Sequence, residues 1–232
     1  MPPRLLIIET SDKPGVVALA DGDQLRGERR LDEARRHARD LAPAAATLLE
    51  EQGWRARDLE GVIVSRGPGS YTGLRVGVMS AKTLAFAVGC RLLAVDTFAA
   101  IARQAPSEAQ MVDVVADAQQ EKLYVQRFAR QPTGGWRAES SLAIVPMTAW
   151  LAHLAPDVCA TGPGLARQIA RLPVSALVAP EADWHPRAES LLALGLEGCR
   201  RDERDDPFAV EPLYLRPSSA EERWDTKGPA AK

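Results

Sequence analysis

The sequence predicts an α/β protein with a mixed sheet, followed by a second and smaller unit of related design. Three observations carry this. The chain opens with three short strand-like segments separated only by turn residues, which fits an antiparallel meander. Helical and strand periodicities then alternate, the mark of βα units on a parallel sheet. After a polar, proline-containing stretch, a further series of strand-like runs follows with fewer long helices.

In chain order, residues 4–10, 16–20 and 24–30 read as strands, joined by turn chemistry at Asp12-Lys13-Pro14-Gly15 and Asp21-Gly22-Asp23. A helix is expected over 32–52, closed by Gly53 as a left-handed C-terminal residue. Residues 61–65 (GVIVS) form a buried-strand run. Gly67-Pro68-Gly69 breaks it, and Ser70 or Thr72 caps a helix to about residue 88. A strand at 91–95 and a helix at 97–103 complete the order βββαβαβα. The polar run 104–110 (QAPSEAQ) marks a junction between a unit at 1–104 and one at 105–216. Strands are expected at 111–116, 122–128, 141–145 and 157–161, the last ended by Gly162-Pro163-Gly164, and an amphipathic helix at 187–201. Residues 217–232 are polar and are expected to be a mobile tail.

With 232 residues, 46% hydrophobic content and a formal net charge of −2, the chain has the balance of an ordinary soluble protein. Such a charge argues against a strongly electrostatic grip on nucleic acid. No apolar run reaches membrane-spanning length and no signal-like segment opens the chain, so no membrane contact and a cytoplasmic location are expected. Cys90, Cys159 and Cys199 are widely spaced and odd in number, which suggests neither a disulfide framework nor a CxxC metal site.

Residues 65–82 (SRGPGSYTGLRVGVMSAK) are the most informative segment. Gly67, Pro68, Gly69, Ser70 and Thr72 form a structural loop that turns strand into helix. On that helix Gly73, Gly77, Ala81 and Ala85 fall four apart and leave one face nearly bare. An interior glycine costs a helix about 1 kcal/mol relative to alanine, so close approach of another element is expected. Val76, Leu84 and Val88 make a second stripe, and the first helix carries Ala34, Ala38, Leu41, Ala45, Leu48 and Leu49. Packing on the chain's own sheet is one explanation. Two helices with more apolar or small surface than one sheet needs favour an interface with another chain.

This segment, with LLIIETS near the start and VEPLYLR near the end, closely resembles the TsaB (YeaZ) family, and the resemblance runs to about Arg216. It implies two actin-like (ribonuclease H-like, ASKHA) subdomains, the second degenerate. The implied role is that of a non-catalytic scaffold for TsaD, which forms threonylcarbamoyladenosine beside the anticodon of tRNA, with the ATPase TsaE completing the set. Members of the family pair through the two helices, with themselves or with TsaD. The resemblance therefore implies a homodimer in the absence of TsaD and only indirect contact with tRNA. The implied partner-binding set is Ala34, His37, Ala38, Leu41, Ala45, Gly73, Gly77, Ala81 and Ala85.

Several positions depart from the family pattern. Glu9-Thr10-Ser11 stands where the superfamily has Asp-Thr-Ser on a phosphate-facing turn, so Glu9, Thr10 and Ser11 are a possible nucleotide contact with an extra methylene in the carboxylate. No cofactor is expected on the chain alone, and ATP or ADP only within a complex. His37-Ala38-Arg39 replaces a His-Ser-Glu-like triplet. Gln119 and Gln120 replace arginines of a related hairpin, and Glu121 replaces its glycine.

Patterns for independent catalysis are missing. Gly67, Gly69 and Gly73 do not make GxGxxG, no GK[ST] follows, and Gly-x-Ser-x-Gly is absent around Ser70. His37, His153 and His185 lack a second histidine at i+4, unlike the metal-holding pair of TsaD, so no metal site is expected. The rival reading is a small actin-like ATPase or kinase with its own nucleotide site at Glu9.

Overall fold

The computed structural model describes residues 2–31, 37–132 and 134–215, without the side chains of residues 37 and 38. The meander is present as β1 (Arg4–Glu9), β2 (Val16–Asp21) and β3 (Gln24–Arg30). There follow α1 (His37–Glu51), β4 (Gly61–Ser65), α2 (Tyr71–Val88), β5 (Arg91–Val95) and α3 (Thr97–Ala102). The second half contributes β6 (Met111–Asp117), β7 (Lys122–Arg130), β8 (Trp136–Ala138) and β9 (Ala143–Pro146). It continues with α4 (Met147–His153), β10 (Val158–Thr161), β11 (Leu177–Val178) and α5 (Ala188–Arg200).

The two sheets share one plan. The first has the order β3-β2-β1-β4-β5, with β1 antiparallel to β2 and parallel to β4. The second has the order β11-β10-β6-β7-β8, with β6 antiparallel to β7 and parallel to β10, and β9 added on β7. Each is a meander extended by two parallel strands. The chain thus has a doubled α/β fold of the actin-like class. The second copy is the poorer one, since only 3-10 turns (Pro163–Arg167 and Ile169–Arg171) follow β10 where α2 follows β4.

Both faces of the first sheet are covered, which is why Leu5 to Glu9 are buried without alternation. Leu6, Ile8, Val62 and Val64 pack with Leu41 and Leu48 of α1 and Val78 and Ala81 of α2. Leu5, Ile7, Ile63 and Leu93 face the other way, onto Ala188, Leu191 and Leu192 of α5. Meanwhile Phe98, Ile101 and Ala102 of α3 join the core of the second sheet. The lobes therefore exchange helices across the junction expected at 104–110: α3 packs on the second sheet and α5 on the first. Gln104 fastens the crossing: its amide donates to Asp183 O and His185 O and accepts from Arg187 N and Ser190 Oγ.

Elements absent from the sequence reading are short. β8, β11 and α4 hold too few residues to display a period, and Gly134 and Gly135 interrupt the approach to β8. Residues 32–36, expected to begin α1, and the tail 217–232 lie outside the described residues.

Candidate partner-binding face and inter-lobe cleft

The turns after β1 and β6 line a cleft of about 340 Å³ between the lobes, walled by Ser11, Asp12, Lys13, Ser70, Asp117 and Arg167. Glu9, two residues before the lining Ser11, is 1% exposed. Glu9 Oε1 accepts both the backbone N–H and the hydroxyl of Ser11, each at 2.5 Å, while Oε2 has no hydrogen-bond partner. Burial pushes this carboxyl up to about 7, against the lowering effect of the Ser11 donors. Ser65 Oγ acts in the same direction as Ser11 although it makes no well-directed hydrogen bond.

The charged groups around the cleft are largely paired with one another. Asp12 meets His185 Nδ1 at 2.5 Å, and this hydrogen bond raises the His185 pKa. Arg167 reaches Asp117 at 2.6 Å, and Arg171 reaches Glu121 at 2.8 Å. Among the described residues no group of three His, Cys, Asp or Glu is placed to hold a metal ion. Burial pushes the Cys159 thiol up to about 11, which keeps it protonated and unreactive.

The strand-to-helix loop makes its turn against the β1 end. Ser70 caps α2 by accepting from Gly73 N at 3.2 Å, and Ser70 N donates to Ser11 O at 2.6 Å; Thr72 is exposed and does not cap. Gly67 has φ +117, and a Cβ on Gly69 would stand 2.3 Å from Ser11 O. Pro68 lines the cleft.

The small stripe of α2 corrects the expectation of a partner contact. A Cβ on Gly73 would lie 2.0 Å from Thr10 O, and one on Gly77 would lie 2.1 Å from Thr10 Oγ1. Ala81 and Ala85 are buried, as are Leu41 and Ala45 of α1. All six face this chain's own sheet. What needed close approach was the chain leaving β1, where the Thr10 hydroxyl donates to Gly73 O at 2.8 Å. Ala34 lies outside the described residues, and the side chains of His37 and Ala38 do too.

What α2 offers outward is different. Met79 and Phe86 are 61% and 65% exposed, and Phe208 beside them is 77% exposed. Phe86 and Phe208 meet edge-on with centroids 5.3 Å apart. Residues 205–214 run as a strap along α2: Lys82 Nζ donates to Val210 O at 2.8 Å, and Leu213 N to Arg66 O at 2.7 Å. The strap closes on Tyr214, whose ring lies 4.7 Å from Tyr71 and whose hydroxyl accepts from Arg75 Nε at 3.1 Å. Between helix and strap runs a groove of about 790 Å³ lined by Val76, Met79, Val210 and Tyr214. Met79 and Phe86 are seven residues apart. An apolar pair at that spacing off the small stripe was the signal available in the sequence.

A family model described as TsaD, tRNA N6-adenosine threonylcarbamoyltransferase, matches residues 32–135. The tRNA threonylcarbamoyladenosine biosynthesis protein TsaB of Bacillus subtilis is 28% identical over 95% of this chain and 97% of its own length. TsaB of Escherichia coli is also 28% identical, over 61% of this chain and 62% of that protein. The solved structure of YeaZ from Pseudomonas aeruginosa superposes with a TM-score of 0.76 and 28% identity, covering 92% of this chain and all of that one. The chain belongs to the TsaB (YeaZ) family. The agreement in fold with YeaZ extends over nearly the full length of this chain.

Proposed function

We propose that this chain is the non-catalytic partner of TsaD in the formation of threonylcarbamoyladenosine in tRNA, and that it docks through the outward face of α2. Family membership supports the pathway. The observation that carries the docking face is the exposed apolar set Met79, Phe86 and Phe208 beside an open groove. Without TsaD the same face joins two copies in a homodimer, the commonest closed assembly. TsaE completes the complex, tRNA is reached through TsaD, and the whole works in the cytoplasm. Among the described residues no helix is long and apolar enough to cross a membrane. ATP or ADP enters only in the assembled complex, because the Ser11 donors of this chain already serve Glu9.

Co-purification with TsaD from the same organism, followed by a tRNA-modification assay that omits each component in turn, tests this reading. Met79→Asp with Phe86→Asp should lower TsaD affinity by roughly tenfold or more, since apolar anchors dominate such interfaces. The melting temperature should stay near that of the parent. Robust ATP turnover by the isolated chain, abolished by Glu9→Ala, would favour the actin-like ATPase instead.

A further inference from the structure

Two cavities meet back to back where the lobes join. One is the cleft of about 340 Å³; the other is a pocket of about 510 Å³ between β3 and the start of α5. Lys13 and Pro186 line both, so they form the wall between them. Asp12 lines the cleft and His185 lines the pocket, and the two side chains join across that wall, Asp12 Oδ2 to His185 Nδ1, at 2.5 Å. We propose that this pair is a pH-operated clasp, which holds the wall shut on the acid side of neutrality and loosens on the alkaline side to join cleft and pocket.

Each half of the clasp is anchored in a different lobe. Asp12 stands on the turn that leaves β1, and its Oδ1 accepts Lys13 N at 2.8 Å, which leaves Oδ2 for the histidine. His185 follows Trp184, which is buried in the core of the second sheet and donates from Nε1 to Ala179 O at 2.8 Å. The His185 carbonyl accepts in turn from the Gln104 amide at 2.7 Å. With both backbones held, the side-chain bond decides whether the wall stays closed. That bond is strongest between imidazolium and carboxylate, so loss of the proton weakens the clasp without removing it.

The charges around His185 set the sign. Carboxylates reach it from the β1 turn (Asp12) and from the 3-10 turn Glu181–Asp183 before it, and Glu28 of β3 and Glu189 of α5 line the pocket beside it. The cations that line the pocket are Lys13, Arg30 and Arg187, the last paired with Asp183. On the cleft side Asp117 and Arg167 are paired with each other. The hydrogen bond to Asp12 raises the His185 pKa above its ordinary 6.5, burial opposes the rise, and the charges of Asp12 and Glu181 add to it. The clasp is therefore at full strength below 6.5 and fades as pH climbs through the raised value. Glu28 is pushed up as well, by burial and then by Glu189, so its ionisation adds repulsion on the pocket side in the same sense.

An NMR titration of His185 in the full chain, with amide hydrogen exchange followed between pH 5 and pH 9, tests the clasp. Glu9→Gln serves as the background, because Glu9 ionises near 7 and would otherwise overlap. In that background, exchange around Asp12 and His185, corrected for its intrinsic pH dependence, should rise several-fold in a step centred on the His185 midpoint. Asp12→Asn should bring that midpoint down. His185→Gln, whose amide can still donate to Asp12 but does not titrate, should abolish the step. Both side chains are partly exposed, so neither substitution costs the fold. A step absent from the Glu9→Gln protein, a step that survives His185→Gln, or a midpoint unmoved by Asp12→Asn would overturn the proposal.

Discussion

The two lobes answer the same local sequence in different ways. Gly67-Pro68-Gly69 follows β4, and Gly162-Pro163-Gly164 follows β10 at the matching place in the second sheet. Each turn presses glycine backbone on the lobe's first strand: a Cβ on Gly69 would stand 2.3 Å from Ser11 O, and one on Gly162 the same distance from Val115 O. Beyond the turn they diverge. In the first lobe Gly73, Gly77, Ala81 and Ala85 keep one helix face small, so the 18-residue α2 lies directly on the end of β1. The second lobe continues with Leu165, buried, and soon reaches Pro173, so only 3-10 turns form and Ile169 and Val174 are left exposed. The turn sets the exit from the strand; the residues after it decide whether a helix can stay. A helix held by its small face has its large face free, and that is the face proposed above for docking.

The strongest break of this comparison is Gly77→Leu. Its Cβ alone would meet Thr10 Oγ1 at 2.1 Å, and Thr10 is fully buried. Overpacking here should cost about 3 kcal/mol or more, the top of the usual range. Gly164→Ala in the second lobe, with its nearest contact at 3.0 Å, should cost about 1 kcal/mol. Thermal melts of both variants check the ranking. A Gly77→Leu protein that melts normally and only loses TsaD would return the stripe to the partner face.

Next in size is Asp113→Ala, which strips the second lobe of its buried carboxylate. Asp113 is 2% exposed and holds Arg127 through two bonds at 2.7 and 2.9 Å, and Trp150 Nε1 at 3.1 Å. Removing it leaves a guanidinium and an indole N–H without their acceptor, at about 3 kcal/mol. The loss should appear in the core packed around β6 before it reaches β1. Hydrogen exchange that rises equally in both lobes would show that they unfold as one unit through the exchanged helices.

This pairing of lobes was only half legible in the sequence. Strands of the first sheet could be bounded almost to the residue because their flanking turns carry glycine, proline and aspartate at fixed offsets. The burial of Gly73 and Gly77 could not, because a small face looks the same whether a sheet or a partner covers it. The position of Thr10 against both glycines decides between them. The site was less legible still. Met79 and Phe86 form an apolar pair seven residues apart, a spacing that looks the same on a buried and on an exposed helix face, and Phe208 joins them from a segment with no helical or strand period. Glu9 was visible as an unusual residue, but its capture of both Ser11 donors depends on a hairpin turn that spacing does not specify.

Glu9→Gln probes the first lobe's turn by pH. The folded carboxyl sits at about 7 against 4.5 when unfolded, so the native state holds a proton that the unfolded chain releases between those values. Stability from this group is therefore full below 4.5, falls as pH rises towards 7, and is flat above. The fall is on the order of 3 kcal/mol. Glutamine keeps an acceptor for Ser11 and cannot ionise, so the variant should lose this slope and be the more stable protein at pH 8. Urea unfolding at pH 5 and pH 8 measures it, and a parental slope that survives in Glu9→Gln would assign the effect to another group.

The smallest effect lies in the second lobe's counterpart of that turn, the tip of the β6–β7 hairpin. Gln119, Gln120 and Glu121 hold φ of 63°, 53° and 57°, a left-handed run in which side chains crowd the following carbonyls. Glycine accepts such φ without a Cβ penalty but loses more freedom on folding, so the two effects partly cancel. Gln120→Gly should therefore stabilise by about 0.5–1 kcal/mol. Glu121→Gly relieves the same crowding but gives up the exposed pair with Arg171, worth about 0–1 kcal/mol, and should gain less. Denaturant midpoints of the two variants resolve the order. A loss of stability in Gln120→Gly would mean that the glutamine side chain holds the tip more firmly than its backbone strains it.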